Sequence, residues 1–467
     1  MPEVEVGKFT LESLTTGMYT DPEIIFREYI QNSVDSLDNA VSEGVLNTTQ
    51  CRIEMIIDAD RGEIEIKDNG FGVPKAEAAK VLMDIGNSKK RSTSNRGFRG
   101  IGRLGGLSYC SRLVFCTSAI GDSQRTIVSF NCDKLRELLV PGKSEHYNLA
   151  QVLQEVTEIK YLPEQDSAHY FIVKMEGVDE TTQLLELARM RDYIAQVAPL
   201  PYRSEFYRKS EIQGHLTQKG IVASEYPIFI GKSFESLKQV FKPNQITLKA
   251  DRTREVQDTI SSISFFEIRD VNELIAVGWY SDCNWFGTLV DERISGIRIR
   301  KGNILIGDGK TLAPFFKESR FSGWVQGEVF AVSHDLIPNA RRDDFERNPK
   351  YETFVQGIRN TVGAEVSDKI RAASKLRNNP VTKILTEVTM GVIKVEGILQ
   401  SGFFSAHDKD QVASDVDKTR KRLYQIPPSA PREVLEQKQE LMTKLSEIAT
   451  QVDESRNFKA NTISCLI

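Results

Sequence analysis

The sequence predicts an α+β protein of about three domains, and three observations carry that reading. The chain has 467 residues, room for three domains at roughly 150 residues each. Helix-period and strand-period apolar patterns alternate through the N-terminal part, and longer strands follow in the middle. The C-terminal part is helical and interrupted.

The first helix is expected over 21–41, where Ile24, Ile25, Tyr29, Val34, Leu37 and Val41 recur at helical spacing. Thr20 or Asp21 ahead of Pro22 supplies an N-cap with proline at the first helical position. Next, CRIEMIID (51–58) and EIEIKD (63–68) alternate by twos around ADRG, the pattern of a β-hairpin ending on Asp68. HYFIVKMEG (169–177) is a further strand, and a charged helix over 182–197 leads into APLPY. The first domain is therefore 1–198.

A second domain, 199–372, holds the long strands of FFEIRDVNELIAVGWYS and of ISGIRIRKGNILIG, the latter split by a turn at Gly302 and Asn303. The remainder, 373–467, is a helical region broken by QIPPSAPRE. Its last helix spaces Val434, Leu441 and Ile448 by sevens, and likewise Leu445 and Val452, with Lys438 on the seam. A short coiled coil that dimerises and an amphipathic packing helix both fit.

Composition narrows the function. With 40% hydrophobic and 27% charged residues the chain is of ordinary globular type, and no window reaches the 18 apolar residues of a membrane span. MPEVEVGKFTLESL lacks the basic and apolar regions of a secretory signal, so a cytoplasmic protein without membrane contact is expected. The six cysteines have no paired short spacing, which argues for reduced thiols over a disulfide or zinc framework. A net charge of −4 gives no overall bias toward nucleic acid.

Three stretches carry candidate chemistry. In REYIQNSVDSLDNA (27–40), Glu28, Asn32 and Asp35 share one helix face. Alone, that stripe could be a solvated face. DNGFGV (68–73) follows a strand, where a plain turn would use the same residues. RGFRGIGRLGGLS (96–108) sets Gly97, Gly100 and Gly102 ahead of a helix expected over 104–113, so backbone N–H groups could approach an anion.

In that order the three stretches resemble the GHKL, or Bergerat-fold, ATPases: type II topoisomerase ATPase domains, histidine kinases, MutL and the heat-shock protein 90 chaperones. REYIQNSVDSLD is most similar to the chaperone form, and GFRG to MutL. The resemblance implies an N-terminal Bergerat-type α/β sandwich that binds ATP and Mg²⁺. By resemblance Asn32 ligates Mg²⁺, Glu28 is the general base for the attacking water, Asp35 lines the pocket or supports the metal's water shell, and Asp68 binds the adenine amino group. Gly70 and Gly72 would approach the base and ribose, and Gly97, Arg99, Gly100, Ile101 and Gly102 the phosphates. The polar run 85–96 would be the lid. The family's threonine late in this domain has no equivalent, and SAHYFIV offers Ser167 and His169 instead.

Residues 298–348 resemble the α/β middle domain of the same chaperones, whose arginine-bearing loop reads DLIPNARRDD here. That places the trans-domain catalytic arginine on Arg342, with Arg341 a rival by one residue of register. Surface ion pairs with Asp343 and Asp344 are the plainer alternative. The implied protein is a Mg²⁺-dependent ATPase and homodimeric clamp acting on a protein client or dedicated partner. The alternatives are a MutL- or topoisomerase-like nucleic-acid clamp, and a nucleotide switch regulating a partner effector, for example in phage defence. A histidine kinase is excluded, because none of the five histidines precedes the nucleotide fold on a dimerising helix.

Overall fold

A computed structural model describes residues 7–10, 21–84, 102–142, 147–251, 256–378, 380–401 and 406–454. The chain divides into two compact units, Met1–Ser367 and Asp368–Ile467.

The first unit begins with helix α1 (Ile24–Ser42). Its apolar stripe of Ile25, Phe26, Tyr29, Ile30, Val34 and Leu37 is wholly buried, as a 3.6-residue period on one face requires. The helix packs in one core with the inward positions of β1 (Ile53–Asp58) and β2 (Glu63–Asp68), namely Ile53, Met55, Ile57, Ile64 and Ile66. The two strands form the expected antiparallel hairpin, Asp58 opposite Glu63 and Ile53 opposite Asp68. Asp21 does not cap α1 as the sequence suggests. Its carboxylate accepts the Glu23 N–H at 3.1 Å in the turn before the helix.

Helix α2 (Lys75–Met83) follows, but the glycine-rich stretch does not open an α-helix. A 3-10 turn, Gly102–Ser108, runs into β3 (Cys110–Ser118). Gly105 and Gly106 weaken any helix there, and SRLVFCTS turns Leu113 and Phe115 inward by twos. β4 (Gln124–Asn131), α3 (Cys132–Leu139), α4 (Leu149–Val156), β5 (Thr157–Pro163), β6 (Tyr170–Val178) and α5 (Leu187–Val197) complete this part. α5 starts later than 182, because Asp179 caps a separate 3-10 turn by accepting the Thr181 N–H at 2.9 Å.

After α6 (Lys209–Gln218), β7 (Ile228–Gly231) returns to pair in parallel with β1, and β8 (Lys238–Gln239) edges it. The resulting eight-stranded sheet runs β5-β4-β3-β6-β2-β1-β7-β8. A small pair, β9 (Thr247–Ala250) and β10 (Val256–Thr259), precedes the second large sheet.

That sheet has the order β11-β12-β15-β13-β14. The long stretch expected around 265–281 is a hairpin of β11 (Ser262–Asp270) and β12 (Glu273–Asp282). β13 (Gly296–Lys301) and β14 (Ile304–Ile306) turn at Gly302 and Asn303, with φ of +54° and +62°, the mirror-image turn that suits a hairpin's twist. β15 (Gln326–Ala331) runs parallel to β13 and carries the chain to a loop over 337–346 and then to α7 (Pro349–Ile358).

The unit boundary falls inside α8 (Ala364–Asn378). Beyond it, α9 (Pro380–Ser401), α10 (Ala406–Leu423) and α11 (Arg432–Glu454) enclose a core of Val388, Val392, Val416, Leu441, Leu445, Ile448 and Val452. The apolar seam of α11 is thus spent within its own unit, as an amphipathic packing helix. Lys438 is accommodated there by donating to the Ile426 carbonyl at 3.0 Å. No helix among the described residues is long and apolar enough to cross a membrane.

Candidate active site

Helix α1 presents Glu28, Asn32 and Asp35 along one face, and none of the three is on open surface. Glu28 and Asp35 are buried, and Asn32 is half-buried. A solvated face would not bury two carboxylates. The Gly102–Ser108 turn lies against this helix, with the Gly106 N–H donating to the Tyr29 hydroxyl at 3.1 Å. Gly102 rests on the Glu28 carboxylate so closely that any Cβ would overlap it. Burial lowers the pKa of the neighbouring Arg103, with Asp84 opposing the shift.

At the far end of the helix, Asp68 closes β2 with 2% of its surface exposed and accepts the Gly70 N–H at 3.0 Å. The loop after it is tied on three sides. Phe71 N–H donates to the Ser36 carbonyl of α1 at 3.1 Å. Val73 N–H donates to the Thr117 hydroxyl of β3 at 2.8 Å, and that hydroxyl donates to the Tyr170 carbonyl at 3.0 Å. His169 Nδ1 lies 2.9 Å from the Gly70 carbonyl. Gly72 has φ of +70° with its backbone pressed on the Ser118 carbonyl, so no side chain fits there.

The loop over 337–346 reaches the same helix from the second sheet. It is held by the Pro338–Phe345 bridge, by Asn339 N–H to the Asp344 carbonyl at 2.9 Å and by Arg342 N–H to the Asn339 carbonyl at 3.1 Å. Its tip docks on α1 through Arg27, whose Nη1 and Nη2 donate to the carbonyls of Arg342 at 3.2 Å and Arg341 at 2.7 Å. The Arg342 Nε then lies 2.8 Å from Glu28 Oε1, and the two side chains are only 12% and 11% exposed. Glu28 Oε1 has no straight hydrogen bond, so the contact is a charge pair that is poorly aligned as a donor–acceptor bond. Arg341 is exposed. Asp343 accepts instead from Asn339 Nδ2 at 2.5 Å, and Asp344 from the Tyr351 hydroxyl at 3.0 Å.

The structure therefore places Glu28, Asn32 and Asp35 on one face of α1, Gly102 and Arg342 against Glu28, and Asp68, Gly70 and Gly72 at the far end of the helix. Gly97, Arg99, Gly100, Ile101 and the stretch 85–96 lie outside the described residues. Sequence reasoning passed over Arg27 and Thr117. Arg27 carried a faint signal as the charged residue before Glu28. Thr117, near the end of β3, carried none.

The residues fit Mg²⁺ and ATP. A carboxamide and carboxylates share one face, a glycine backbone opens against Glu28, and an acceptor carboxylate is buried in Asp68.

Comparison with known proteins finds relatives among the ATPases. Residues 19–159 match the family of histidine kinase-, DNA gyrase B-, and HSP90-like ATPases. A chaperone protein HtpG of Rickettsia prowazekii is 24% identical over 163 residues, 31% of this chain and 26% of that one. An HtpG of Nitrobacter winogradskyi is 33% identical over 92 residues, 18% of this chain and 14% of its own length. An endoplasmin homolog of Leishmania donovani is 29% identical over 116 residues, 22% and 15% of the two chains. The similarity thus spans about a quarter or less of each of these relatives. The family match itself covers the segment that carries α1, Asp68 and the glycine-rich stretch, and so residues 19–159 are a domain of the histidine kinase-, DNA gyrase B- and HSP90-like ATPase family.

Proposed function

We propose that the protein is a Mg²⁺-dependent ATPase of heat-shock protein 90-like type, which uses ATP to drive a clamp cycle on a protein partner. The observation that supports this best is the contact of Glu28 with Arg342, because it sets a base on the nucleotide-binding helix beside an arginine from the second sheet.

The reaction is phosphoryl transfer from ATP to water. Asp68 would receive the adenine amino group, and Asn32 would hold Mg²⁺, which offsets the phosphate charge. Asp35 supports that face of the pocket. Glu28 orients the attacking water and takes its proton. Arg342 donates to the transferring phosphoryl group, whose oxygens gather charge in the transition state. Since Arg342 comes from the second sheet, ATP favours whichever arrangement keeps that sheet docked, by as much as it binds that arrangement more tightly. Mechanical work on a partner, and pairing of two copies into a clamp, follow from this reading.

The test is phosphate release by the full chain beside E28A, with ATP binding measured on both. Turnover in the wild type, and binding with turnover lower by about 10²-fold or more in E28A, is the expected result. A wild-type chain that binds ATP without hydrolysing it would make the protein a nucleotide switch instead.

A further inference from the structure

Two thiols meet where the glycine-rich turn enters the first sheet. Cys110 opens β3 and Cys132 opens α3, beside the Arg112–Asn131 pair that ends the β3–β4 ladder. They are 2% and 0% exposed, and their sulfurs lie 3.9 Å apart, so that either thiol can donate to the other. Among the described residues no other two cysteines make such a contact. Cys110 Sγ also lies 3.2 Å from the Gly106 carbonyl, and Cys132 Sγ 3.6 Å from the Phe130 carbonyl.

The two sulfurs differ in their electrostatic surroundings. Cys132 is the first residue of an eight-residue helix, where the backbone dipoles favour a thiolate. The Arg136 guanidinium, one turn on, is fixed beside the pair by donating to the Cys110 carbonyl at 3.1 Å. Asp133, which pairs with Arg136 at 2.5 Å, works the other way. The hydrogen bond from Cys110 holds Cys132 below the ordinary thiol value against the effect of burial. Cys110 itself is pushed up, by that same hydrogen bond and then by burial. One sulfur is thus set to attack while the other keeps its proton.

We propose that Cys110 and Cys132 form a reversible disulfide with hydrogen peroxide as oxidant, and that the bond loosens the turn resting on Glu28. Peroxide is scarcely larger than water, which suits a buried pair. The Cys132 thiolate attacks one peroxide oxygen, the O–O bond breaks, and hydroxide leaves to become water with the proton that Cys132 gave up. Cys132 is then a sulfenic acid. The Cys110 sulfur attacks it, the S–S bond forms as the S–O bond breaks, and the departing hydroxide takes the Cys110 proton as a second water. Two thiols have lost two electrons, and one peroxide has become two waters. The sulfurs close from 3.9 Å to about 2 Å. Cys110 then has no proton for the Gly106 carbonyl, which keeps the Tyr109 N–H at 3.0 Å. Gly106 is also the residue whose N–H holds the turn to Tyr29 of α1.

The experiment treats the full chain with hydrogen peroxide at levels that leave its circular dichroism unchanged, then unfolds it in N-ethylmaleimide and maps the peptides by mass spectrometry. Cys110 and Cys132 should lose their labelling together, with their peptides joined, and dithiothreitol should restore it. C110S should leave Cys132 as a sulfenic acid that dimedone traps, and C132S should leave Cys110 labelled. Should a serine variant fail to fold, the wild-type map decides alone. Amide hydrogen exchange over 102–110 should quicken in the oxidised wild type, and unchanged exchange would overturn the link to the turn. Full labelling of either cysteine in the folded, peroxide-treated chain, or a join to a different cysteine, would overturn the disulfide.

Discussion

At the scale of single residues, the proposed ATPase reading turns on Arg342. Its φ of +56° is a left-handed conformation that a side-chain-bearing residue adopts at a cost, and the surrounding hydrogen bonds hold it there. The Arg342 carbonyl accepts both the Gly307 N–H at 2.8 Å and the Arg27 guanidinium. R342A is expected to retain ATP binding and lose about 10²–10³ in turnover, whereas R341A should hydrolyse like the wild type. Equal losses in the two, read from phosphate release at saturating ATP, would remove the distinction. In the sequence, Glu28, Asn32 and Asp35 could be read as one face because helical spacing alone sets it. The choice between Arg341 and Arg342 could not, since neighbours in a loop differ only by which one the tertiary docking turns inward.

At the scale of elements, α1, the β1–β2 hairpin and α11 were legible because period and turn residues agreed. The stretch after Gly102 was misread because glycines before an apolar run fit a helix start and a strand approach equally well, and the sheet decided for β3. Pairing of β7 with β1, about 175 residues apart, leaves no local trace. In the helical unit, Leu445 is fully buried between helices. L445A should destabilise that unit by about 2–5 kcal/mol, seen as an earlier urea transition by circular dichroism. An unchanged transition would mean that the seam of α11 is not part of a packed core.

At the scale of the whole molecule, the first unit is joined through buried charge. Glu328 is held well below the ordinary carboxylate range, to about 2; burial alone would raise it, but Lys242 and Arg300 outweigh that. A folded value below the unfolded one contributes stability that is complete above the unfolded value and fades as pH falls through the folded one. Acid should therefore weaken the first unit between about pH 4.5 and pH 2. E328Q, followed by thermal melts across that window, should show a flatter pH dependence. At neutral pH the same variant should cost about 3–5 kcal/mol, because it leaves two buried cations unpaired. A pH profile identical to the wild type would place the acid sensitivity elsewhere.

Arg27 and Glu28 are consecutive on α1, and one grips the loop whose arginine the other receives. Support and target are thus a single residue apart, and losing either makes the other idle. A thermodynamic cycle on turnover should therefore be far from additive. R27M alone is expected to slow hydrolysis with every reacting group intact, and R27M combined with R342A should lose no more than R342A by itself.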